Sequence, residues 1–159
     1  MKPYIITLCI IAISSLSLKA QSLYETEVKT LEGESIPLSQ VAEGQLLVLD
    51  FWTTWCKPCL NSIPKLIELS EKFDESQVQF IGVNEDSPRN LNKVQPMVKA
   101  LNIPYSVILD TDQVLLNELM VNAFPTLMIF NKEGELLYTH VGFSPGDEKA
   151  LEEKIRELL

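Results

Sequence analysis

The sequence predicts an α/β protein in which helices flank a mixed β-sheet. Residues 46–52 form a near-continuous apolar run, which is typical of a strand buried on both faces of a partly parallel sheet. Strand-like and helix-like segments then alternate, and the chain ends in a hairpin pattern followed by a helix. With 159 residues, 46% of them hydrophobic, the chain has apolar material for one well-packed domain.

The first twenty residues have the outline of a secretory signal peptide. Lys2 gives a positive start, residues 4–13 are apolar, and a stretch rich in small residues ends at Ala20. The apolar run is shorter than the roughly 20 residues that a membrane span needs. We therefore expect residues 1–20 to be cleaved and residues 21–159 to form the domain, with an uncleaved membrane anchor as the alternative.

Acidic residues outnumber basic ones by 22 to 13, for a formal charge of −9. Cleavage would remove Lys2 and Lys19 and take this charge to −11, and it would also remove Cys9. An acidic surface argues against nucleic acid and anionic lipid as partners. Its ordinary explanation is solubility, so we draw no further partner from it.

The predicted elements begin with a peripheral hairpin. Residues 24–44 are polar with isolated apolar positions, and Leu-Glu-Gly-Glu-Ser at 31–35 predicts a turn between two short strands. After the apolar strand, helical spacing predicts a helix over 57–73. Pro58 falls in its first turn, where the missing N–H costs nothing, and Pro64 predicts a kink.

The remaining elements alternate up to the terminal hairpin. The predicted elements are a strand over 78–83, one helix or two short ones over 88–101 interrupted at Pro96, a strand over 105–109 and a helix over 114–121. A hairpin over 126–140 turns near Gly134, which suits a positive φ. Ser144 is the predicted N-cap of a last helix that runs to Leu159, with Pro145 in its first turn.

The run Trp55-Cys56-Lys57-Pro58-Cys59 lies at a strand-to-helix junction, and its spacing lets the two thiols close a disulfide. The positive end of the helix dipole favours a thiolate at Cys56, which makes it the attacking sulfur. Lys57 adds a solvated charge whose effect is modest and screened by salt. Cys59, one turn further in, is the resolving thiol that attacks the mixed disulfide between Cys56 and a substrate.

Two other interpretations of the cysteine pair carry less weight. A plain stabilising disulfide is disfavoured because so short a loop constrains the unfolded chain little. A zinc site needs three or four protein ligands, and only two cysteines and His140 would remain after export. We therefore expect no metal and no cofactor, and we interpret His140 as a half-exposed strand residue.

Residues 50–59, Asp-Phe-Trp-Thr-Thr-Trp-Cys-Lys-Pro-Cys, closely resemble the active-site strand and helix start of the thioredoxin family. Residues 121–130, Val-Asn-Ala-Phe-Pro-Thr-Leu-Met-Ile-Phe, resemble the family's cis-proline segment. The resemblance implies a thioredoxin fold and a cis Pro125 beside a redox-active pair. Asp50 matches the family's buried acid, whose raised pKa suits proton exchange with Cys59. An acid solvated at the strand end is the alternative for Asp50.

The resemblance also implies a surface that contacts substrates. Its residues would be Trp55, Lys57, Pro58, Phe124, Pro125 and Thr126. In thioredoxin-like proteins the residue before the cis-proline hydrogen-bonds a substrate chain. Phe124 is bulkier than the residue often found at that position, which bears on substrate preference.

The 65 residues between Cys59 and Pro125 leave room for an additional strand and helix, which we place in residues 83–101. With the hairpin and signal peptide, this resembles the extracytoplasmic TlpA/ResA/DsbE branch. The resemblance implies a periplasmic reductase of disulfides in exported proteins, served by a membrane thiol-electron donor, and some members act in cytochrome c maturation. Members carry a functional acid near the insertion. Glu85 or Asp86 is the nearest candidate, with a solvated loop acid as the ordinary explanation.

Other functions remain as alternatives. The direction of exchange depends on the reduction potential relative to the compartment, so a disulfide oxidase or isomerase is one alternative. A thioredoxin-fold binding module with idle cysteines is another. A peroxiredoxin is disfavoured because its peroxidatic cysteine would not need a second cysteine in a CxxC motif at a helix start.

Overall fold

Seven strands form one sheet in a computed structural model that describes residues 23–159. The strands are β1 (Glu27–Thr30), β2 (Ser35–Pro37), β3 (Leu46–Trp52), β4 (Val78–Asn84), β5 (Ser106–Leu109), β6 (Thr126–Asn131) and β7 (Leu136–Val141). The helices are α1 (Lys57–Ser70), α2 (Leu91–Leu101), α3 (Val114–Glu118) and α4 (Asp147–Leu158). The order of strands across the sheet is β2-β1-β5-β4-β3-β6-β7. This mixed sheet with flanking helices confirms the predicted thioredoxin fold.

The sheet is parallel at its centre and antiparallel toward both edges. β3, β4 and β5 run parallel to one another, whereas β6 and β7 on one side and β1 and β2 on the other pair antiparallel. Because parallel strands end at the same edge of a sheet, the residues that follow β3, β4 and β5 come together there. The edge at these carboxyl ends is where the cysteine motif begins.

Every residue of β3 is buried, because both faces of the strand are covered. Leu47, Leu49 and Phe51 pack on the face that carries α3. Leu46 and Val48 pack on the opposite face against α1 and α4. Asp50 has the parity of the second set, which directs its side chain toward α1 and α4.

Several predicted boundaries are confirmed and others shift for local reasons. The N-terminal hairpin and β3 lie where they were predicted, and Gly134 has a φ of 82°. α2 is one helix that continues through Pro96, because a proline there removes a single backbone hydrogen bond. The stretch from α1 to β6 holds two strands and two helices, which leaves the predicted room for an additional strand and helix. The placement in residues 83–101 is wrong for the strand, because that stretch holds the end of β4 and α2, and the next strand, β5, begins at Ser106.

Ser144 is not the N-cap of the last helix, contrary to the prediction. α4 begins at Asp147 because Gly146 takes a φ of 105° and acts as the cap residue. The reciprocal half of the expected motif is present, since the Ser144 N–H donates to the Asp147 carboxylate at 2.7 Å.

Within residues 23–159, no helix is long and apolar enough to cross a membrane. The predicted signal peptide, residues 1–20, lies outside the described residues, and so does Cys9.

Candidate active site

Cys56 and Cys59 form a disulfide at the start of α1, with their Cα atoms 5.3 Å apart. Cys56 is the N-cap residue of the helix, and the Cys59 N–H donates to its Sγ at 3.2 Å. That contact, together with the helix dipole, would favour a thiolate at Cys56 after reduction. Cys59 is fully buried and Cys56 nearly so, which fits an outer attacking sulfur and an inner resolving one.

The loop before Cys56 is held by Asp86. The Asp86 carboxylate accepts hydrogen bonds from the Thr54 N–H at 2.7 Å, the Thr54 hydroxyl at 2.9 Å and the Asn84 amide at 2.9 Å. Asp86 is 1% exposed, so the expected solvated loop acid is wrong for this residue. Its three donors satisfy the buried carboxyl oxygens and fix the loop two residues before the attacking sulfur.

Glu85 is also buried, so the expectation of a solvated acid is wrong here too. Its backbone N–H donates to the Trp52 carbonyl at 2.9 Å, which places it directly behind the end of β3. Burial, and next the charge of Asp110, raise the pKa of Glu85 to about 9. Asp110 keeps its own carboxylate oxygens on the Val114 and Leu116 N–H groups. Glu85 is therefore protonated at neutral pH and can donate a hydrogen bond.

Asp50 lies on β3, six residues before Cys56, and is 3% exposed. Neither of its carboxyl oxygens has a hydrogen-bond partner among residues 23–159. Burial raises the pKa of Asp50 to about 7. The prediction of a buried acid with a raised pKa is confirmed, and the alternative of a solvated strand-end acid is wrong.

Asp50 lies beside the part of α1 that starts about one turn beyond the inner sulfur. It shares a small cavity with Ser62, Leu66 and Pro125. The Ser62 hydroxyl donates to the Cys59 carbonyl at 2.9 Å. The structure therefore brings the predicted acid, the middle turns of α1 and the proline segment to one place.

The peptide bond between Phe124 and Pro125 is cis, as the resemblance implied. The Phe124 ring meets the indole of Trp55 edge-on, with 6.2 Å between the ring centroids. Trp55 is 65% exposed, and Lys57 and Pro58 are exposed beside it. The two segments predicted to contact substrates thus form one surface around the disulfide.

Thr126 stands apart from that surface in one respect. Its side chain is buried, and its hydroxyl donates to the Ala123 carbonyl at 2.8 Å. Any contact of Thr126 with a substrate therefore comes from its backbone.

His140 is half-buried on β7, as predicted, and its Nε2 lies 3.0 Å from the Asp147 carboxylate. Sequence reasoning missed that its side chain also lines the cavity at Asp50. In the part of the chain that the structure describes, no group of three or more His, Cys, Asp or Glu side chains is arranged to hold a metal ion.

Comparison with known proteins places this geometry among thiol-disulfide oxidoreductases. Residues 20–139 match the model of the AhpC/TSA family. Sporulation thiol-disulfide oxidoreductase A of Bacillus subtilis is 31% identical over 116 residues, which are 72% of this chain and 69% of that protein. Thiol-disulfide oxidoreductase ResA of Halalkalibacterium halodurans is 30% identical over 132 residues, 83% of this chain and 72% of its own.

Among solved structures, a Chlorobium tepidum protein assigned as thiol:disulfide interchange protein DsbE superposes with a TM-score of 0.74. It is 26% identical, and the match covers 86% of this chain and 94% of that one.

Proposed function

We propose that this protein reduces disulfides in exported proteins. The chain belongs to the AhpC/TSA family of thioredoxin-like proteins, and it is a thiol-disulfide oxidoreductase of the ResA/StoA/DsbE type. The observation that carries the direction is the acidic surroundings of the pair. Asp50 adjoins α1 at Ser62, about one turn beyond Cys59, and Asp86 holds the loop before Cys56. A buried negative charge destabilises nearby thiolates and hence the dithiol form, which lowers the reduction potential.

Positive charge near the pair is slight by comparison. Lys57 is exposed, so solvent and salt screen its effect on Cys56. A strongly oxidising pair needs a stabilised reduced form, which goes together with a low pKa of the attacking thiol. These surroundings favour a reductase over the alternative of an oxidase.

The reaction proceeds through one mixed disulfide. In the dithiol form, the Cys56 thiolate attacks a substrate disulfide, and the first substrate sulfur leaves as a thiolate that takes a proton. Asp50 then accepts the proton of Cys59, and the Cys59 sulfur attacks Cys56. The second substrate sulfur leaves, so that two electrons have passed to the substrate and the enzyme holds the Cys56–Cys59 disulfide.

Substrate recognition falls to the surface around the disulfide. Trp55 and Phe124 present aromatic area to a substrate chain. We assign Trp55, Lys57, Pro58 and Phe124 to contacts with the substrate protein. The pattern of residues 1–20 supports export, and we propose a periplasmic location with a membrane thiol donor that restores the dithiol.

Equilibration with glutathione or dithiothreitol buffers measures the direction of exchange. A reductase is expected near the thioredoxin value of about −270 mV, and a value near the DsbA value of about −120 mV would overturn the proposal. In an insulin reduction assay the wild type should be active and Cys56→Ser inactive. Equal turnover by both would leave a binding module as the remaining explanation.

Trapping identifies the substrates. A Cys59→Ser variant keeps the attacking sulfur but cannot resolve the mixed disulfide, so it should accumulate covalent complexes with exported proteins. The matched control is the Cys56→Ser, Cys59→Ser double variant, which should trap none. Recovery of an apocytochrome with a CxxCH motif would support a role in cytochrome c maturation, and its absence among the trapped proteins would count against that role.

A further inference from the structure

A buried acid that exchanges a proton in every turnover needs a path to solvent. Asp50 is 3% exposed, and its oxygens contact no hydrogen-bonding group of the described chain. The proposed function has Asp50 take a proton from Cys59, and Asp50 can take it only as a carboxylate, so a proton already on Asp50 must first leave. The inference below rests on that proposed role.

The small cavity beside Asp50 marks one such path. Its volume is about 10 Å³, the lower limit of the roughly 10–15 Å³ that a cavity needs to hold one water molecule. Ser62 and Leu66 of α1, Pro125 and Leu127 form much of its wall. Of the described residues that line it, Asp50 and His140 are the titratable ones.

The sheet register puts these two side chains in one row. Asp50 on β3 pairs with Leu127 on β6, and Leu127 pairs with His140 on β7. Directly paired residues point to the same face of a sheet, and adjacent strands lie about 4.8 Å apart. The backbones of Asp50 and His140 are therefore about 10 Å apart with both side chains toward α1 and α4.

The outer end of this path is open to water. The His140 side chain is 22% exposed, and its Nε2 lies 3.0 Å from Oδ2 of Asp147, which is 30% exposed. The Ser144 N–H first, and His140 second, hold the pKa of Asp147 below its usual range. Asp147 is thus an anion that orients the imidazole at the surface, where the ring can exchange a proton with water.

The other titratable groups near Asp50 do not offer a second path. Cys59 on α1 is the proton source itself. Tyr105, which precedes β5, is half-buried, and its hydroxyl is buried without a hydrogen-bond partner among residues 23–159. Burial, and next the charge of Asp50, raise the pKa of Tyr105 well above its ordinary value, so its phenol keeps its proton.

We propose that His140 is a positioning residue for the redox reaction. It passes to solvent the proton that Asp50 takes from Cys59. The protonated Asp50 gives its proton through one water in the cavity to the neutral imidazole, which becomes an imidazolium. The imidazolium then releases a proton to bulk water beside Asp147. Asp50 returns to a carboxylate, His140 to neutral imidazole, and no electron moves in this step.

A stopped-flow assay with Ellman's reagent tests the relay. The reduced protein releases one thionitrobenzoate when Cys56 attacks and a second when Cys59 resolves the mixed disulfide, so the second phase reports proton loss from Cys59. Near pH 7, close to the pKa of Asp50, many molecules hold a proton on Asp50 that must leave through the relay before Asp50 can accept the proton of Cys59. In dilute buffer near pH 7, His140→Gln should slow the second phase roughly fivefold, a fraction of the hundredfold or greater effect of a positioned base. Added imidazole should restore the rate. Thr139→Gln is the matched control, because Thr139 is the exposed neighbour on the same strand.

Each outcome decides the matter. An unchanged second phase in His140→Gln overturns the relay, and so does a slow phase that imidazole does not restore, because that marks a packing role. In an Asp50→Asn background, His140→Gln should have no further effect, and an equal further loss also overturns the relay. If the second phase of Asp50→Asn is as fast as that of the wild type, both the relay and the role of Asp50 are refuted. If the wild type releases no second thionitrobenzoate, the proposed function itself is refuted.

Discussion

Replacing the buried carboxyl of Asp50 with an amide should change how folding stability depends on pH. Burial raises the pKa of Asp50 from 3.8 to about 7. At about 1.4 kcal/mol for each pH unit, the ionised carboxyl costs the folded protein about 4 kcal/mol. Asp50→Asn keeps the size of the side chain and removes the ionisation.

The sign follows from where the proton is lost. An aspartate in the unfolded chain ionises near pH 4, whereas Asp50 in the folded protein keeps its proton until about pH 7. Because the folded state binds the extra proton between these values, wild-type stability falls as the pH rises from about 4 to about 7. The gain in unfolding free energy from Asp50→Asn should therefore be small at pH 4 and about 4 kcal/mol larger at pH 8.

Urea unfolding of both proteins in the disulfide form, at several pH values from 4 to 8.5, measures this difference. The other acids titrate alike in the two proteins and cancel in the comparison. Asp112→Asn is the matched control, since that carboxyl is 71% exposed and should show no growing gain. A difference between wild type and Asp50→Asn that stays constant with pH would refute the reasoning.

Three further predictions concern the surroundings of the pair. Asp86→Ala leaves the Thr54 N–H, the Thr54 hydroxyl and the Asn84 amide without their acceptor. Urea unfolding should therefore show a free energy of unfolding about 3 kcal/mol lower, and a decrease below about 0.5 kcal/mol would contradict this prediction. Glu85→Gln should stabilise the protein increasingly between about pH 5 and pH 9, because the pKa of Glu85 is raised to about 9, and a pH-independent effect in the same measurement speaks against this. Trp55→Ala should leave the free energy of unfolding within about 0.5 kcal/mol of the wild type, because the side chain is largely exposed. It should raise KM for a protein disulfide several-fold and leave the rate of reaction with Ellman's reagent unchanged. An equal loss of activity on both substrates would exclude a docking role.

The sequence alone supports much of the fold and the centre of the site, for identifiable reasons. The unbroken apolar run of β3 and the CxxC at its end are local patterns, so they predict a buried strand and a redox pair before any contact is known. Asp50 stands out because a carboxyl inside an apolar strand is costly when ionised. The cis bond at Pro125 came from the resemblance, since 65 residues separate it from Cys59.

Contacts between distant segments could not be predicted in the same way. The bond from Thr54 to Asp86 joins residues 32 apart, and it depends on β3 and β4 ending at the same edge of the sheet. Composition marks Glu85 and Asp86 as loop acids, because a Glu-Asp pair after a strand ordinarily faces water. The position of His140 at the cavity of Asp50 likewise follows only from the register of three strands.

The buried acids at this edge of the sheet fall into two groups according to the number of hydrogen bonds that they accept. This difference indicates their roles. Asp86 receives three hydrogen bonds and Asp110 two, so these two side chains hold loops in place. Asp50 and Glu85 receive none from the described chain, and burial raises the pKa of each, to about 7 and about 9. A base works best with a pKa near the operating pH, which Asp50 has. Glu85 keeps its proton there, so it can only donate, and we assign proton exchange with Cys59 to Asp50.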